Sequence, residues 1–80
     1  MTRGEYRVGI NFNPSQDDVV GQLKRHGAAL IDLIESIGPQ VREDAGLAAE
    51  VLRLKGLAQT AIEEGTMWAV KAATKPVREA

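Results

Sequence analysis

The chain has 80 residues, with ten Lys+Arg against eleven Asp+Glu, one histidine and no cysteine. That length allows one domain, and a chain this short buries only about 60% of the surface its unfolded form exposes, so an isolated core is marginal. The composition excludes disulfides and leaves almost nothing for a thiolate or imidazole zinc site, and a net charge of -1 lacks the basic balance with which duplex nucleic-acid binders neutralise phosphates.

Self-association is the supplement that remains for a small core. Any nucleotide the chain holds should be small. No apolar run approaches the roughly 20 residues of a membrane span, and "MTRGEYRVGI" has neither the apolar stretch nor the cleavage site of a signal peptide. A soluble cytoplasmic protein with no membrane partner is expected.

From Glu5 to Asn13 the residues alternate, with Tyr6, Val8, Ile10 and Phe12 apolar or aromatic and Glu5, Arg7, Asn11 and Asn13 polar. A period of two predicts an extended segment with one buried face. No second strand is visible to pair with it, so residues 1–14 read as an extended arm lying on helices.

"NPSQDD" opens a helix over 15–38, with Ser15 as N-cap, Asp18 at the capping-box position and Asp17 in the first turn. Its apolar seam is Val20, Leu23, Gly27, Leu30, Ile34 and Ile37, and Gly38-Pro39 ends it. A glycine on a seam costs about 1 kcal/mol against alanine, which points to close approach of a backbone or ligand at Gly27.

A second helix is predicted over 44–75, with Asp44 as the cap candidate and a seam of Leu47, Val51, Leu54, Ala58, Ala61, Gly65, Trp68 and Ala72. Lys71, Lys75 and Arg78 suit the negative pole of its C-terminus. In "GTMWAVKAATKP" the single tryptophan is a packing anchor, a wall for a stacked ring or the edge of an anion site; its place on the seam with Gly65 favours packing. The predicted helices reach about 33 and 45 Å, so a hairpin of the two leaves part of the longer one bare. Leu33, Leu52, Leu57, Ile62 and Val70 lie off the seams and ask for other subunits. The fold class expected is therefore all-α: an antiparallel two-helix hairpin with an extended N-terminal arm, assembled into a homo-oligomer.

Catalysis finds little support. Asp17-Asp18, Glu43-Asp44 and Glu63-Glu64 are adjacent pairs whose side chains point about 100° apart on a helix, which suits a solvated face better than a shared reacting atom. His26 has no cysteine or relay beside it, and there is no Walker loop or dinucleotide fingerprint. A binding reading does better. Lys24, Arg25 and His26 on the first helix, Lys71 and Lys75 on the second, and Tyr6, Arg7 and Phe12 on the arm supply cations and ring faces, though the same residues also suit a solvated surface and ordinary packing.

"LAQTAIEEGTMWAVKAATKP", with "EYRVGINFNPS" and "LKRHGAALIDLI" before it, resembles the phage anti-CBASS sponge family. These small proteins sequester the cyclic oligonucleotide messengers of bacterial CBASS immunity. The resemblance rests on Ala58-Gln59-Thr60, Gly65, Met67-Trp68, Val70-Lys71-Ala72 and Pro76, and covers Glu5 to Pro76. It implies a helical hairpin with an N-terminal arm, assembled as a homohexamer in the cytoplasm of the infected host. It also implies binding of intact cyclic dinucleotides between protomers and, in some members, of cyclic trinucleotides at separate sites, with no cleavage and no cofactor.

Carried over by motif, Phe12 is the base-stacking aromatic, Lys24 the phosphate lysine through Lys24-x-x-Gly27, and Thr60 the hydroxyl of an Arg-Thr step at which this sequence has Gln59. Tyr6, Arg7, Arg25 and Lys71 complete the ligand-binding candidates. Lys24→Ala is expected to weaken cyclic dinucleotide binding at least about tenfold with assembly intact. A structural oligomerisation module and a small phage DNA-binding regulator are the alternative readings; an enzyme that degrades the messenger fits least.

Overall fold

The computed structural model describes residues 1–38 and 45–78, and among them the only regular elements are three helices, α1 (Arg3–Val8), α2 (Asp18–Glu35) and α3 (Ala45–Ala73). The helical hairpin expected from the sequence is α2 and α3. Asp44, the expected cap of the second helix, and Glu43 lie outside the described residues.

The extended arm is corrected over its first half. Thr2 Oγ1 accepts from the Glu5 N–H at 3.0 Å while the Glu5 carboxylate accepts from the Thr2 N–H at 2.8 Å, a reciprocal capping box that starts α1. Gly9 ends it in the left-handed conformation at φ 65°, and the Ile10 N–H bonds back to the Glu5 carbonyl at 3.0 Å. Six residues are too few for a helix to persist alone, so docking must hold α1 in place. Gly4 is buried against the α2 backbone, where a Cβ would stand 2.1 Å from the Ala28 carbonyl oxygen, and its N–H donates to Asp32 at 2.7 Å. Arg3 pairs with Glu35 at 3.1 Å, and Arg7 with Glu63 of α3 at 2.6 Å.

α2 starts later than expected. Asp17, not Ser15, is the N-cap, accepting from the Val19 N–H at 2.8 Å, and Ser15 instead bridges Asn13 and the Asp17 N–H upstream. The helix ends at Glu35 with Ser36 as C-cap, before Gly38-Pro39. Lys55 reaches across from α3 to donate to the carbonyls of Glu35 at 3.0 Å and Ile37 at 2.6 Å, placing a cation at the negative end of α2.

The expected seam of α3 is turned by one residue, while that of α2 keeps Val20 and Gly27 but exchanges Leu23 and Leu30 for Lys24 and Ile31. The buried positions of α2 are Val20, Lys24, Gly27, Ala28 and Ile31, because α1 packs over that face. On α3 the inward line is Ala48, Val51, Lys55, Gln59, Ile62, Thr66 and Ala69, of which only Val51 belongs to the expected seam. One residue is about 100° of helix rotation. Polar contacts set this register: Gln59, 3% exposed, donates to the Ile31 carbonyl at 3.2 Å and to Glu35 at 2.9 Å. Gly27 admits Thr66, whose Oγ1 lies 2.4 Å from where a Cβ would be, so the close approach expected at Gly27 is made by a side chain of the neighbouring helix.

The hydrocarbon of the expected seams consequently lines the other face. Leu23, Leu30, Ala61 and Gly65 border one groove there, and Ile34, Ile37, Val51, Leu54 and Ala58 the next. Trp68 is 55% exposed and a Cβ at Gly65 would meet nothing, so neither packs within the chain as expected. Leu33, Leu52 and Leu57 are exposed, as their positions off the seams required, while Ile62 and Val70 are partly covered. The chain spans 60 × 27 × 13 Å, too thin in its shortest dimension to enclose a second layer of helices.

Candidate ligand-binding site

α1 crosses the hairpin so that its last turn lies over both α2 and the middle of α3. A cleft of about 530 Å³ opens there, and Arg7, Lys24, Thr60 and Lys71 line it with Val8 and Met67. Four residues expected at the site from sequence, drawn from three helices, therefore meet in one place. Volumes of this order suit small-molecule sites, which range over about 300–1,000 Å³.

The guanidinium of Arg7 organises the cleft. Its Nε donates to Glu63 at 2.6 Å and its Nη2 to Thr60 Oγ1 at 3.2 Å. An arginine carries five N–H donors in a rigid fork, so three remain for an anion. The sequence comparison left Thr60 without the arginine that precedes it in the family motif; here a guanidinium reaches the same hydroxyl from α1. Gln59 faces the interior and takes no part in the cleft lining.

Tyr6 stands on the opposite side of the Arg7–Thr60 contact, in a groove of about 580 Å³ shared with Arg3. Its ring is exposed. Phe12 borders a smaller hollow of about 180 Å³ with Pro14, Val20 and Val70, and Lys24 lies on the wall between this hollow and the main cleft. Lys24 is only 6% exposed; its Nζ donates to the Gly9 carbonyl at 2.9 Å and to the Phe12 carbonyl, and sits 5.4 Å from the Phe12 ring centroid. Arg25 is not brought to the cleft: it lies on the exposed side of α2 beside Gly21. Lys71 also stacks over Trp68 at 5.6 Å, and the indole N–H donates to Glu64 at 3.3 Å, which puts the tryptophan at the rim of the cation cluster.

Sequence reasoning missed Glu63 and Glu64 as cleft residues. They read as a solvated acidic pair, and only the docking of α1 places Glu63 against Arg7. The other described pair also divides its work, Asp17 capping α2 and Asp18 accepting from Gln22 at 2.7 Å. Among the described residues no cluster of His, Asp or Glu could hold a metal ion, and no helix is long and apolar enough to cross a membrane.

Among the described residues one carboxyl has a displaced titration. Glu35 is held below its ordinary value of 4.5, first by the Gln59 amide that donates to it, with Arg3 and Lys55 adding charge and partial burial opposing them. It belongs to the clamp on α1 rather than to the cleft.

The architecture is an all-helical hairpin with a short N-terminal helix docked across it and, at the crossing, a cleft lined by three cations and two carboxylates. The family model described as Acb2/Tad1, hairpin domain, matches residues 5–74, and the chain belongs to that family, the anti-CBASS cyclic oligonucleotide sponges. No curated protein and no solved structure gives a significant match.

Proposed function

We propose that this protein binds cyclic oligonucleotide messengers of bacterial CBASS defence and sequesters them intact, acting as a homo-oligomer in the cytoplasm of the infected cell. The observation that carries this reading is the cleft in which Arg7, Thr60 and Lys71 converge from α1 and α3, in a chain of the sponge family. A cyclic dinucleotide has two phosphates and two flat bases. It calls for a few cations and ring faces rather than a basic surface, so a net charge of -1 is no obstacle.

Arg7 is assigned to a phosphate through the donors that Glu63 and Thr60 leave unused, and Lys71 to the same charge from further along α3. Thr60 adds a hydroxyl. Tyr6 and Phe12 offer exposed rings for base stacking, worth about 1–3 kcal/mol per base in single-strand binders. Arg25 contributes only long-range charge. A second protomer placed by a two-fold axis would present each group twice to a ligand with its own pseudo-symmetry, and a hexamer is the assembly the family suggests. Larger cyclic trinucleotides are a second ligand class on the same grounds.

The test is recovery. The purified protein is loaded with a cyclic dinucleotide, washed, heat-denatured, and the released nucleotide analysed by chromatography. Stoichiometric return of the unaltered ring supports sequestration. Linear products would make the protein a nuclease, and no retained nucleotide from a panel of cyclic di- and trinucleotides would leave the structural-module reading, which the open apolar face alone would also satisfy.

A further inference from the structure

Lys24 is the most buried cation of the described chain, and its surroundings are unusual for a residue expected to hold a phosphate. An ammonium taken out of water must be compensated. Here compensation comes from the loop after α1. The Gly9 and Phe12 carbonyls both accept from Nζ, and the Phe12 N–H closes the same loop onto the Gly9 carbonyl at 2.9 Å. Gly9 must be left-handed to turn its carbonyl this way, and the Phe12 ring then covers the ammonium at 5.4 Å while remaining 73% exposed. Of the three N–H donors of a lysine, two are committed to backbone.

We propose that Lys24 is a positioning residue, a clasp that folds residues 9–12 around its ammonium and thereby sets the Phe12 ring where a base stacks. Its effect on ligand binding runs through Phe12 rather than through charge donated to the phosphates. A phosphate that drew Nζ away would take its lysine donor from the Phe12 carbonyl and leave the Gly9 carbonyl with only the Phe12 N–H, and a lost hydrogen-bond partner at a part-buried acceptor is costly. Arg7 and Lys71, which are more exposed in the same cleft, can meet a phosphate without that loss. The placement of the clasp is a property of the free protein, while its consequence for affinity rests on the sequestration reading above.

The two parts are tested separately. For the clasp, amide hydrogen exchange is followed in the wild type and in Lys24→Met, which keeps the length and removes the donors. Exchange at Phe12 should accelerate at least about tenfold, with the buried amides around Ile31 unchanged. Unaltered protection at Phe12 overturns the clasp. Should Lys24→Met fail to fold, through-hydrogen-bond NMR couplings from the wild-type Lys24 Nζ to the Gly9 and Phe12 carbonyls decide the same point by being present or absent.

For the consequence, a double-mutant cycle with a bound cyclic dinucleotide compares Lys24→Met in the wild-type and Phe12→Ala backgrounds. A loss of about tenfold in the first and less than about twofold in the second is expected, since a residue acting through Phe12 has nothing further to remove. Equal losses in both backgrounds would return Lys24 to the phosphates and overturn the proposal. A wild type that binds no cyclic nucleotide counts against the function proposed above, and leaves the clasp to be judged by exchange and couplings.

Discussion

Gly4 carries more of this architecture than its size suggests. A methyl group there would meet the Ala28 backbone oxygen at 2.1 Å, and a carbonyl within α2 cannot swing aside. Gly4→Ala is therefore expected to lift α1 from the hairpin at a cost of about 1–3 kcal/mol, in the range of overpacked sites. Cyclic dinucleotide affinity should fall with it, because Tyr6 and Arg7 leave together; calorimetric titration with exchange data on α1 checks this, and unchanged affinity would separate the site from the helix. Gln59 is the interior counterpart. Gln59→Leu removes the donor to Glu35, so the Glu35 carboxyl should rise toward 4.5 in an NMR titration. A carboxyl whose folded value is lowered stabilises above its unfolded value and loses that contribution as pH falls through the folded one. Melting temperature should therefore drop below about pH 4.5 in the wild type, and more shallowly in Glu35→Gln.

The helices show which sequence signals can be trusted here and which cannot. The long hairpin was legible, because the apolar period of α2 and α3 persists over many turns. Its rotation was not. The inward line of α3 is held by Gln59 and Thr66, whose bonds to Ile31 and whose fit against Gly27 exist only once the helices have met. α1 was misread because the four alternating residues Glu5 to Val8 fit a helix of a turn and a half as well as a strand, and Thr2 with Glu5 was the overlooked signal. The candidate site was readable as residue types but not as a constellation. Tyr6, Arg7 and Thr60 were named from resemblance and composition, yet only the docked helix puts the Arg7 fork on Thr60, and the role of Glu63 as its orienter had no linear trace. Arg7→Lys tests this arrangement. It keeps the charge but cannot hold Glu63 and Thr60 while also presenting a bidentate edge, so affinity should fall about tenfold with little change in melting temperature. Full affinity in Arg7→Lys would reduce Arg7 to a point charge.

Taken whole, the chain is a thin hairpin with two unlike faces. One carries α1 and the clefts; the other gathers Leu23, Leu30, Ile34, Ile37, Leu54, Ala58 and Ala61 with no helix over them among the described residues. A chain of this size rarely stabilises itself with so little enclosed hydrocarbon, which is why self-association, expected from length alone, gains weight from the structure. Leu54→Glu lies on that face and is half-exposed in the single chain, so it should spare the helices and break the assembly. Light scattering should then report a smaller species with wild-type circular dichroism; an unchanged mass would move the interface elsewhere.

The proposed function requires that the assembled protein hold cyclic oligonucleotides without altering them. Native mass spectrometry of the protein with a panel of cyclic di- and trinucleotides reads assembly mass and ligand mass in one spectrum. A single closed oligomer carrying unaltered ligand in a fixed ratio is predicted. A clean oligomer that carries none of the panel, or ligand of altered mass, would contradict it.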